Sequence, residues 1–517
     1  MSEQDSTPRR RRAPLPLGVD GSESGASVPK VETGIPGFDH VAMGGLPRRR
    51  ATVVAGQAGR AKTVFAGHFL AEGVRRGQPG VFVTLEEPAA DLRANLRTLG
   101  ADVEAWEAAD DWRFVDASPL VRSSGGPTVA AYSLEVLTAQ IGQAVDITGA
   151  ERLVLDSLNA VMSLHDDPAV ARQLLRRLIS DLRAMGLTVL MTVETAGDPG
   201  TTLSRYGIEE FVADTVVLLR NTLDGKFRRR TVEVLKMRGA MHLKGEVPFT
   251  VLPGQGVVVL PILEPAQAPN TFDERVTTGN AGLDELTHGG WYRDASVLVS
   301  GPTGAGKTLM ATEFVTGGLA RGERVLLVSY EETREQVLRN ARGWGHDLAG
   351  YEDQGLLQIV AVYPEVASLD DHLVALKDLV ERFSPARVAV DSLSALERIG
   401  SASSYREFVI GWTSYVKQSG IAAFMTAAAP SLTGGTSVTD SHISALIDAI
   451  VLVRYVEGFG SLHRGVVVLK TRSSAHEHEI REFVIDDTGM HIGERFTSIS
   501  GILTGRIIHA PDSFGGS

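Results

Sequence analysis

An eight-residue stretch near the middle of the chain constrains the fold more than any other part of the sequence. Residues 301–308 read GPTGAGKT and fit the pattern G-x-x-x-x-G-K-[ST]; they follow the apolar run 296–300 and precede residues 309–316, which predict an amphipathic helix. A strand, a glycine-rich loop and a helix in this order aim backbone N–H groups and the positive end of the helix at phosphates. The sequence therefore predicts a nucleoside triphosphate site at Gly301, Pro302, Thr303, Gly304, Ala305, Gly306, Lys307 and Thr308.

Three side chains supply the charge and the metal ligands that this site needs. Lys307 is expected to neutralise charge on the β and γ phosphates during catalysis, and Thr308 to place its hydroxyl on Mg²⁺, which prefers oxygen ligands. Asp391 ends the apolar run 388–390 and is predicted to reach the same metal, directly or through water.

Two glutamates and two cations complete the predicted chemistry. Glu331 and Glu332 follow the apolar run 325–329, and at least one is predicted to activate a nucleophile. Because consecutive side chains of a strand point to opposite faces, only one is expected to be catalytic. Lys470 and Arg472 lie on one side of a predicted strand, where they either stabilise phosphates held by a neighbouring subunit or form a solvated basic patch.

The two halves of the chain are copies of each other. Lys62 pairs with Lys307, and Asp39 with Asp284, at an offset of 245 residues in both cases. Further along the offset falls to 235 and then 234, so the first half carries about ten extra residues, which we expect in loops. The copied positions are Gly56, Gly59, Lys62, Thr63, Lys236 and Arg238 for the nucleotide, Thr63 and Asp156 for the metal, and Glu86 and Glu87 for catalysis.

Ala61 weakens the prediction for the first copy. It occupies the position of the glycine before the catalytic lysine, where a Cβ crowds a backbone conformation that glycine accepts freely, and Arg60 adds bulk. Since Lys62 and Thr63 are present, we expect weak or purely structural nucleotide binding there rather than a lost site.

Apolar runs alternate with helical segments, such as 169–184 and 404–418, in both halves. This alternation predicts an α/β fold in which each half forms a mainly parallel sheet flanked by helices. Composition and motif spacing predict a disordered arm (1–30), a first domain with a degenerate phosphate loop (31–262), a linker (263–273), a second domain with an intact loop (274–497) and a C-terminal tail (498–517).

Composition excludes several classes of function. The 517 residues contain no cysteine, which excludes disulfides, thiolate metal sites and a cysteine nucleophile. No apolar run is long enough to cross a bilayer, so we expect a cytoplasmic protein with no membrane partner. A net charge of −12 and an aromatic content of 6% argue against a nucleic-acid partner.

Several longer motifs resemble those of the KaiC family of bacterial circadian clock proteins. They are residues 301–308, VSYEETRE (328–335), Trp344-Gly, VDSL (390–393), TDSHIS (439–444) and IREF (480–483), and the likeness covers roughly residues 31–505. The resemblance implies two tandem RecA-like P-loop NTPase domains and homohexameric rings that bind ATP and Mg²⁺ between subunits. It also implies slow ATP hydrolysis, serine/threonine autophosphorylation by the second domain, and KaiB-like or histidine-kinase signalling partners.

The resemblance assigns roles to single residues. Glu331 and Glu332 match a catalytic glutamate pair, with Glu331 also near Mg²⁺. Trp344 matches an aromatic residue that stacks on adenine, and His476, with His242 in the first half, matches a position near the nucleotide.

The family's phosphorylated segment is only partly kept. Ser444 matches a phosphorylated serine and Thr439 a further threonine, whereas Ala445 stands where the family has its phosphorylated threonine. An ordinary interface hydroxyl is the alternative role of Ser444. The tail is also shorter than in cyanobacterial clock proteins, so we expect a relative that works outside a full oscillator.

Three classes of function stay open from the sequence. The first is a hexameric ATPase and autokinase of the signalling or circadian type. The second is a non-catalytic ATP-sensing scaffold, since binding can persist without catalysis. The third is a RecA-like DNA recombinase or helicase, which would need a basic channel interleaved with aromatic residues.

Overall fold

The computed structural model describes most of the chain. The described residues are 28–117, 127–162, 167–195, 212–261, 272–429, 443–458, 461–472, 474–497, 499–500 and 508–509. The predicted arm and linker, most of the tail, and Thr439 lie mainly or wholly outside them.

The first domain contains eleven strands and seven helices among these residues. The strands are β1 Lys30–Val31, β2 Leu46–Pro47, β3 Ala51–Gly56, β4 Gly80–Thr84, β5 Trp112–Asp116, β6 Arg152–Asp156, β7 Thr188–Glu194, β8 Thr215–Asp224, β9 Phe227–Met237, β10 Val247–Leu252 and β11 Gly256–Val259. The helices are α1 Phe38–Val41, α2 Lys62–Arg75, α3 Ala89–Arg97, α4 Val103–Ala108, α5 Pro127–Thr148, α6 Leu158–Met162 and α7 Pro168–Ala184.

The second domain repeats this order. Its strands are β12 Arg275–Val276, β13 Trp291–Tyr292, β14 Ser296–Gly301, β15 Val325–Ser329, β16 Leu357–Ala361, β17 Arg387–Asp391, β18 Ala422–Ala428, β19 Ala449–Gly458, β20 Ser461–Thr471, β21 Arg481–Asp486 and β22 Gly489–Arg495. Its helices are α8 Ala281–Leu286, α9 Lys307–Leu319, α10 Arg334–Gly343, α11 Leu348–Asp353, α12 Leu369–Phe383, α13 Leu393–Glu397 and α14 Ala402–Gln418. Short 3₁₀ turns span Pro364–Val366 and Ile443–Ala445, and a last small ladder joins β23 Ile499–Ser500 to β24 Ile508–His509.

Each domain is built on one nine-stranded sheet. The first sheet has the order β11-β10-β9-β8-β3-β7-β6-β4-β5, and the second has the order β16-β15-β17-β18-β14-β19-β20-β21-β22. In the first sheet the six strands β8, β3, β7, β6, β4 and β5 are parallel to one another, and β9, β10 and β11 add an antiparallel edge. The second sheet repeats the pattern. The predicted α/β class, two tandem RecA-like domains with mainly parallel sheets flanked by helices, is confirmed.

Central strands are buried on both faces, as parallel sheets covered by helices require. Every residue of β3 and of β14 is buried. The carboxyl ends of parallel strands meet at one edge of a sheet, where ligands bind in open α/β folds. This edge collects the phosphate loop after β14 and the aspartate that ends β17.

Two expectations about helices are wrong. The extra residues of the first half were expected in loops, but α5 is 22 residues long where α12 has 15, so most of them extend a helix. The helix after the phosphate loop is predicted to be amphipathic, but α9 is buried around most of its circumference because it contacts both the central strands of the sheet and the edge strand β22. Even its charged residue Glu313 is buried.

The hairpin of β8 and β9 joins the two domains. Near its tip, the Arg229 guanidinium contacts Asp370 at 3.0 Å and Glu407 at 2.6 Å, both in the second domain. Asp224 accepts hydrogen bonds from the Ser401 amide at 3.1 Å and from the Ser404 hydroxyl. None of the helices in the described part of the chain combines the length and apolar composition that spanning a bilayer requires.

Candidate functional site

The second phosphate loop folds back around its own lysine. Lys307 is the first residue of α9, and its Nζ donates to the carbonyl oxygens of Gly301 at 2.9 Å and Pro302 at 2.8 Å. Gly304 and Gly306 have φ angles of 78° and 103°, a region where a side chain is strained. Burial lowers the pKa of Lys307, and the nearby Asp391 and Glu331 carboxylates oppose that shift.

Asp391 lies at the centre of this edge of the sheet. It ends β17, and the hydroxyls of Thr426 and Thr308 donate to its carboxylate. Burial raises the pKa of Asp391, while these two hydroxyls and Lys307 act in the opposite direction. The structure thus brings together Lys307, Thr308 and Asp391, which the sequence predicted for phosphate and metal.

The two glutamates follow β15 in a turn and have different partners. The Ser392 hydroxyl donates to Glu331 Oε1 at 2.9 Å, whereas Asn340 Nδ2 donates to Glu332 Oε1 at 3.0 Å and Oε2 at 3.1 Å. Glu331 is exposed and Glu332 half-buried. Burial raises the pKa of Glu332, and the Asp391 charge adds to the shift, so Glu332 holds a proton more readily than an ordinary glutamate.

Lys470 and Arg472 both reach the 3₁₀ turn that carries Ser444. Lys470 Nζ donates to the Ser444 carbonyl at 3.0 Å and the Ile447 carbonyl at 2.9 Å, and Arg472 donates to the Ala445 carbonyl. The two cations therefore lie on one side, as their spacing predicted. Within this chain they hold backbone carbonyls.

Trp344, which the resemblance assigns to adenine, and His476, which it assigns to a position near the nucleotide, each have contacts of their own in the second domain. Trp344 ends α10 and is partly buried against the core of the second domain. His476 shares a hydrogen bond of 2.8 Å with the Thr471 hydroxyl and packs edge-on against His478 at 4.6 Å between ring centres. Burial, with the neighbouring His478, lowers the pKa of His476.

The first domain repeats the central contacts. Lys62 Nζ donates to the carbonyls of Gly56 and Gln57, both at 2.9 Å, and the Thr63 hydroxyl donates to Asp156 Oδ2 at 2.7 Å. Lys62, Thr63 and Asp156 line a cavity of ≈ 450 Å³ together with Gly59, Glu86 and Glu87.

The carboxylates of the first site are also arranged as in the second. The Thr192 hydroxyl donates to Asp156, and the Ser157 hydroxyl donates to Glu86 Oε1 at 2.6 Å. Burial and the nearby Asp156 charge raise the pKa of Glu87.

Ala61 takes the conformation that its position demands of glycine. Its φ of 63° and ψ of 24° lie in the left-handed region, where Gly306 stands in the second domain. An L-residue pays a conformational penalty there that glycine avoids. The first loop keeps its shape at this cost.

The remaining nucleotide-site predictions of the first domain lie in or after β9: Lys236 is part of the strand, and Arg238 and His242 follow it. Lys236 Nζ donates to the Ala213 carbonyl at 2.8 Å, as Lys470 does to Ile447 in the second domain. Arg238 follows β9, and its backbone amide donates to the Asp214 carbonyl at 2.9 Å. His242 is partly exposed, and its Nδ1 lies 2.9 Å from the Leu243 carbonyl oxygen.

Both domains of the chain match one known protein family. The KaiC ATPase family matches the sequence twice, at residues 31–264 and 276–496. The chain belongs to the KaiC family. This KaiC-family chain is therefore an ATPase built from two KaiC domains, which confirms the resemblance drawn from its motifs.

Curated relatives of this KaiC-family chain extend over nearly its whole length. It is 50% identical over 487 residues to a circadian clock protein KaiC3 of Synechocystis sp., a match that covers 94% of this chain and 96% of that protein. It is 42% identical over 480 residues to the circadian clock oscillator protein KaiC of Synechococcus elongatus, covering 93% of this chain and 92% of that protein. A KaiC of Prochlorococcus marinus is also 42% identical, over 94% of this chain.

Sequence reasoning missed the residues that orient the carboxylates of this KaiC-family chain. Thr426 and Thr192 hold the two aspartates, and Ser392 and Ser157 hold the first glutamate of each pair. Thr192 and Thr426 are separated by the repeat offset of 234 residues, and Ser157 and Ser392 by the offset of 235, so a comparison of the two halves could have found them. Asn340 obeys the offset as well, because Asn95 stands 245 residues before it, and its amide reaches Glu332 from eight residues along the chain.

Proposed function

We propose that this KaiC-family chain hydrolyses ATP and transfers the γ phosphate of ATP to its own serine or threonine side chains within a ring hexamer. The observation that carries the proposal is the second-domain cluster, where Lys307, Thr308, Asp391 and the glutamate pair occupy one edge of the sheet. Phosphoryl transfer needs phosphate clamping, a metal, a proton acceptor and positive charge around the transition state, and each has a candidate here.

The donor set fits Mg²⁺. The Thr308 hydroxyl bonds to Asp391 and the Thr63 hydroxyl lies 2.7 Å from Asp156, so each domain offers an adjacent hydroxyl and carboxylate oxygen. Hard oxygen ligands of this kind, together with phosphate oxygens, suit magnesium. When bound, Mg²⁺ neutralises charge on the phosphates; Thr308 and Asp391 in the second domain, and Thr63 and Asp156 in the first, would hold it.

The remaining side chains divide the chemistry of the transfer. Lys307 exchanges its contacts with the loop carbonyls for contacts with the β and γ phosphates. As the acceptor hydroxyl forms a bond to the γ phosphorus, its proton passes to one carboxylate of the Glu331 and Glu332 pair, and the bond to the β–γ bridging oxygen breaks to release ADP. The raised pKa of Glu332 suits it to accept a proton.

Ser444 is the acceptor that we favour, with Thr439 as a second candidate. The Lys470 ammonium lies 3.0 Å from the Ser444 carbonyl, so positive charge borders the acceptor turn. In a ring, this turn and the two cations Lys470 and Arg472 would face the nucleotide of the adjacent subunit. Such charge stabilises a transferring phosphoryl group.

Labelling with γ-labelled ATP and Mg²⁺ tests the proposal. We expect label within residues 430–450, loss of most label in Ser444→Ala, and retention in Thr439→Ala if Ser444 is the main acceptor. Lys307→Ala should abolish it, while Glu331→Gln and Glu332→Gln tested separately identify the proton acceptor. Intact mass and size-exclusion, with and without Mg-ATP, report phosphorylation and assembly together.

The outcomes separate the candidate functions. Absence of label in the wild-type chain, with nucleotide-dependent assembly kept, would favour the ATP-sensing scaffold. A tight and salt-sensitive complex with single-stranded DNA would favour the recombinase class instead.

A further inference from the structure

The strands β7 and β18 end at equivalent places in the two sites. In the first domain the Glu194 amide donates to Asn159 Oδ1 at 2.8 Å, and Asn159 Nδ2 donates back to the Glu194 carbonyl at 3.3 Å. In the second domain the Ala428 amide donates to the Ser394 hydroxyl at 2.7 Å. In both domains the strand end is therefore hydrogen-bonded to the short helix that follows the neighbouring strand, α6 after β6 and α13 after β17, and this contact fixes Glu194 and Ala428 at matching positions.

The side chains at these positions differ in charge. Glu194 Oε1 lies 3.7 Å from Lys62 Nζ, the ammonium that borders the loop carbonyls. Lys62 is almost fully buried, whereas the Glu194 side chain is 45% exposed. Ala428 has only a methyl group, so the residue at the matching position of the second domain cannot form an ion pair with Lys307.

The first cavity consequently carries a fourth carboxylate. The carboxylates Glu86, Glu87, Asp156 and Glu194 line it together with the cations Arg60, Lys62 and Arg230, and Lys62 is the cation within 4 Å of Glu194. A nucleotide brings several negative charges into this cavity and needs the Lys62 ammonium. Like charges a few ångströms apart repel, and a carboxylate already paired with the lysine must release it before phosphate can bind.

We propose that Glu194 is an affinity-setting residue of the first site, which competes with nucleotide phosphate for Lys62 and weakens binding there relative to the second site. The inference rests on the proposed function of Lys62 as a phosphate ligand. It gives the duplication a physical consequence: two sites with the same core contacts differ in affinity through one carboxylate.

Calorimetric titration of the full-length chain with Mg-ADP tests this inference. The second site is first silenced by Lys307→Ala, and Glu194→Gln is then compared with the unchanged first site in that background. We expect Glu194→Gln to bind Mg-ADP about three- to tenfold more tightly, since a half-exposed ion pair is worth up to about 1 kcal/mol and the repulsion is removed as well. The difference should shrink at high salt, because the Glu194 carboxylate is open to solvent.

Two controls sharpen the test. Glu104→Gln neutralises an exposed carboxylate that pairs with Arg97 and lies outside the cavity, and it should leave the affinity unchanged. Ala428→Glu, in a Lys62→Ala background, should weaken Mg-ADP binding at the second site by a similar factor. If one of the two variants fails to fold, the other still tests the inference.

Two different outcomes separate the competition by Glu194 from the proposed role of Lys62 as a phosphate ligand. Equal or weaker binding by Glu194→Gln, with the wild-type first site binding normally, overturns the competition alone. No binding heat from the first site in either form removes the proposed role of Lys62, and the inference falls with it.

Discussion

His68 and Glu313 occupy equivalent positions on the helices that follow the two phosphate loops, and each accepts a hydrogen bond from a backbone amide in the terminal hairpin of its own domain. His68 Nε2 accepts from the Val257 amide at 3.1 Å, and Glu313 Oε1 accepts from the Met490 amide at 2.8 Å. Burial lowers the pKa of His68 to about 4 and raises the pKa of Glu313 to about 7. The two domains thus use groups of opposite titration behaviour for the same structural contact.

Acid should destabilise the first domain through His68. The folded pKa is about 4 and the ordinary value 6.5, so the unfolded chain binds the extra proton between these values. The stabilising contribution is complete above pH 6.5 and is lost as the pH falls toward 4, by about 2 kcal/mol between pH 8 and pH 5. Because Glu313 titrates in the opposite direction over this range, the test is a difference: from pH 8 to pH 5 the unfolding free energy should fall by about 2 kcal/mol more in the wild type than in His68→Gln. An equal loss in the variant would contradict the assignment.

Glu313 should act in the opposite direction on the second domain. Its folded pKa of about 7 exceeds the ordinary 4.5, so the folded state binds the extra proton, and stability falls as the pH rises from 4.5 through 7. The wild type should lose about 2 kcal/mol between pH 5 and pH 8 through this group. Glu313→Gln removes the titration, and its unfolding free energy should vary less over this range. Glu335→Gln, an exposed site on α10, serves as the matched control.

Replacing Ala61 by glycine should stabilise the first phosphate loop. The φ of 63° costs an alanine about 1–2 kcal/mol, while glycine adds roughly 0.5–1 kcal/mol of entropy cost, so the net gain is about 0.5–1 kcal/mol. Ala58→Gly is the control, because Ala58 lies in the same loop without a positive φ and should be destabilised. Urea unfolding of both variants checks the contrast. Destabilisation of Ala61→Gly would show that the left-handed conformation is not strained.

The sequence predicted the fold because the duplication repeats every informative motif. The constant offset between Lys62 and Lys307 aligns strands, loops and helices, and apolar runs with no alternation predict buried parallel strands. The burial of Glu313 was not predictable, because a glutamate in a helix normally faces water. Only the position of β22 against α9 encloses it.

The site was predictable where a motif carries its own geometry. Residues 301–308 specify their loop, and Asp391 follows from its place at a strand end. The contact between Glu194 and Lys62 joins elements that are distant in sequence, and no local pattern marks it. Asn340 lies eight residues from Glu332 and repeats Asn95 of the first half, but only the fold shows that the two side chains meet. The roles of the predicted site residues stay predictions until the variants are measured.

The lysines of the two phosphate loops, Lys62 and Lys307, should differ in how much nucleotide affinity is lost when each is removed. Lys307→Ala should weaken Mg-ADP binding at the second site by about 10- to 100-fold, since a charged contact to phosphate is worth about 1.5–3 kcal/mol. Lys62→Ala should cost less at the first site, because Glu194 and the strained Ala61 already weaken that site. Calorimetric titration of each variant measures both sites, and Lys→Arg at either position controls for charge. A larger loss from Lys62→Ala would contradict the ranking.

Arg229 should be the residue on which contact between the domains depends most. Its guanidinium contacts the Asp370 and Glu407 carboxylates and donates to the Ser404 hydroxyl at 3.0 Å, with only 15% of its side chain exposed. Arg229→Ala leaves the Asp370 carboxylate, itself 12% exposed, without its partner, and removing one member of a buried pair costs about 3–5 kcal/mol. The neighbouring Arg228 is exposed, so Arg228→Ala should change stability by less than about 0.5 kcal/mol. Scanning calorimetry tests the same contact, because the interactions that Arg229→Ala removes join two domains. The variant should show two thermal transitions, one for the unfolding of each domain. A single unshifted transition would mean that other contacts, such as Asp224 with Ser404, are sufficient.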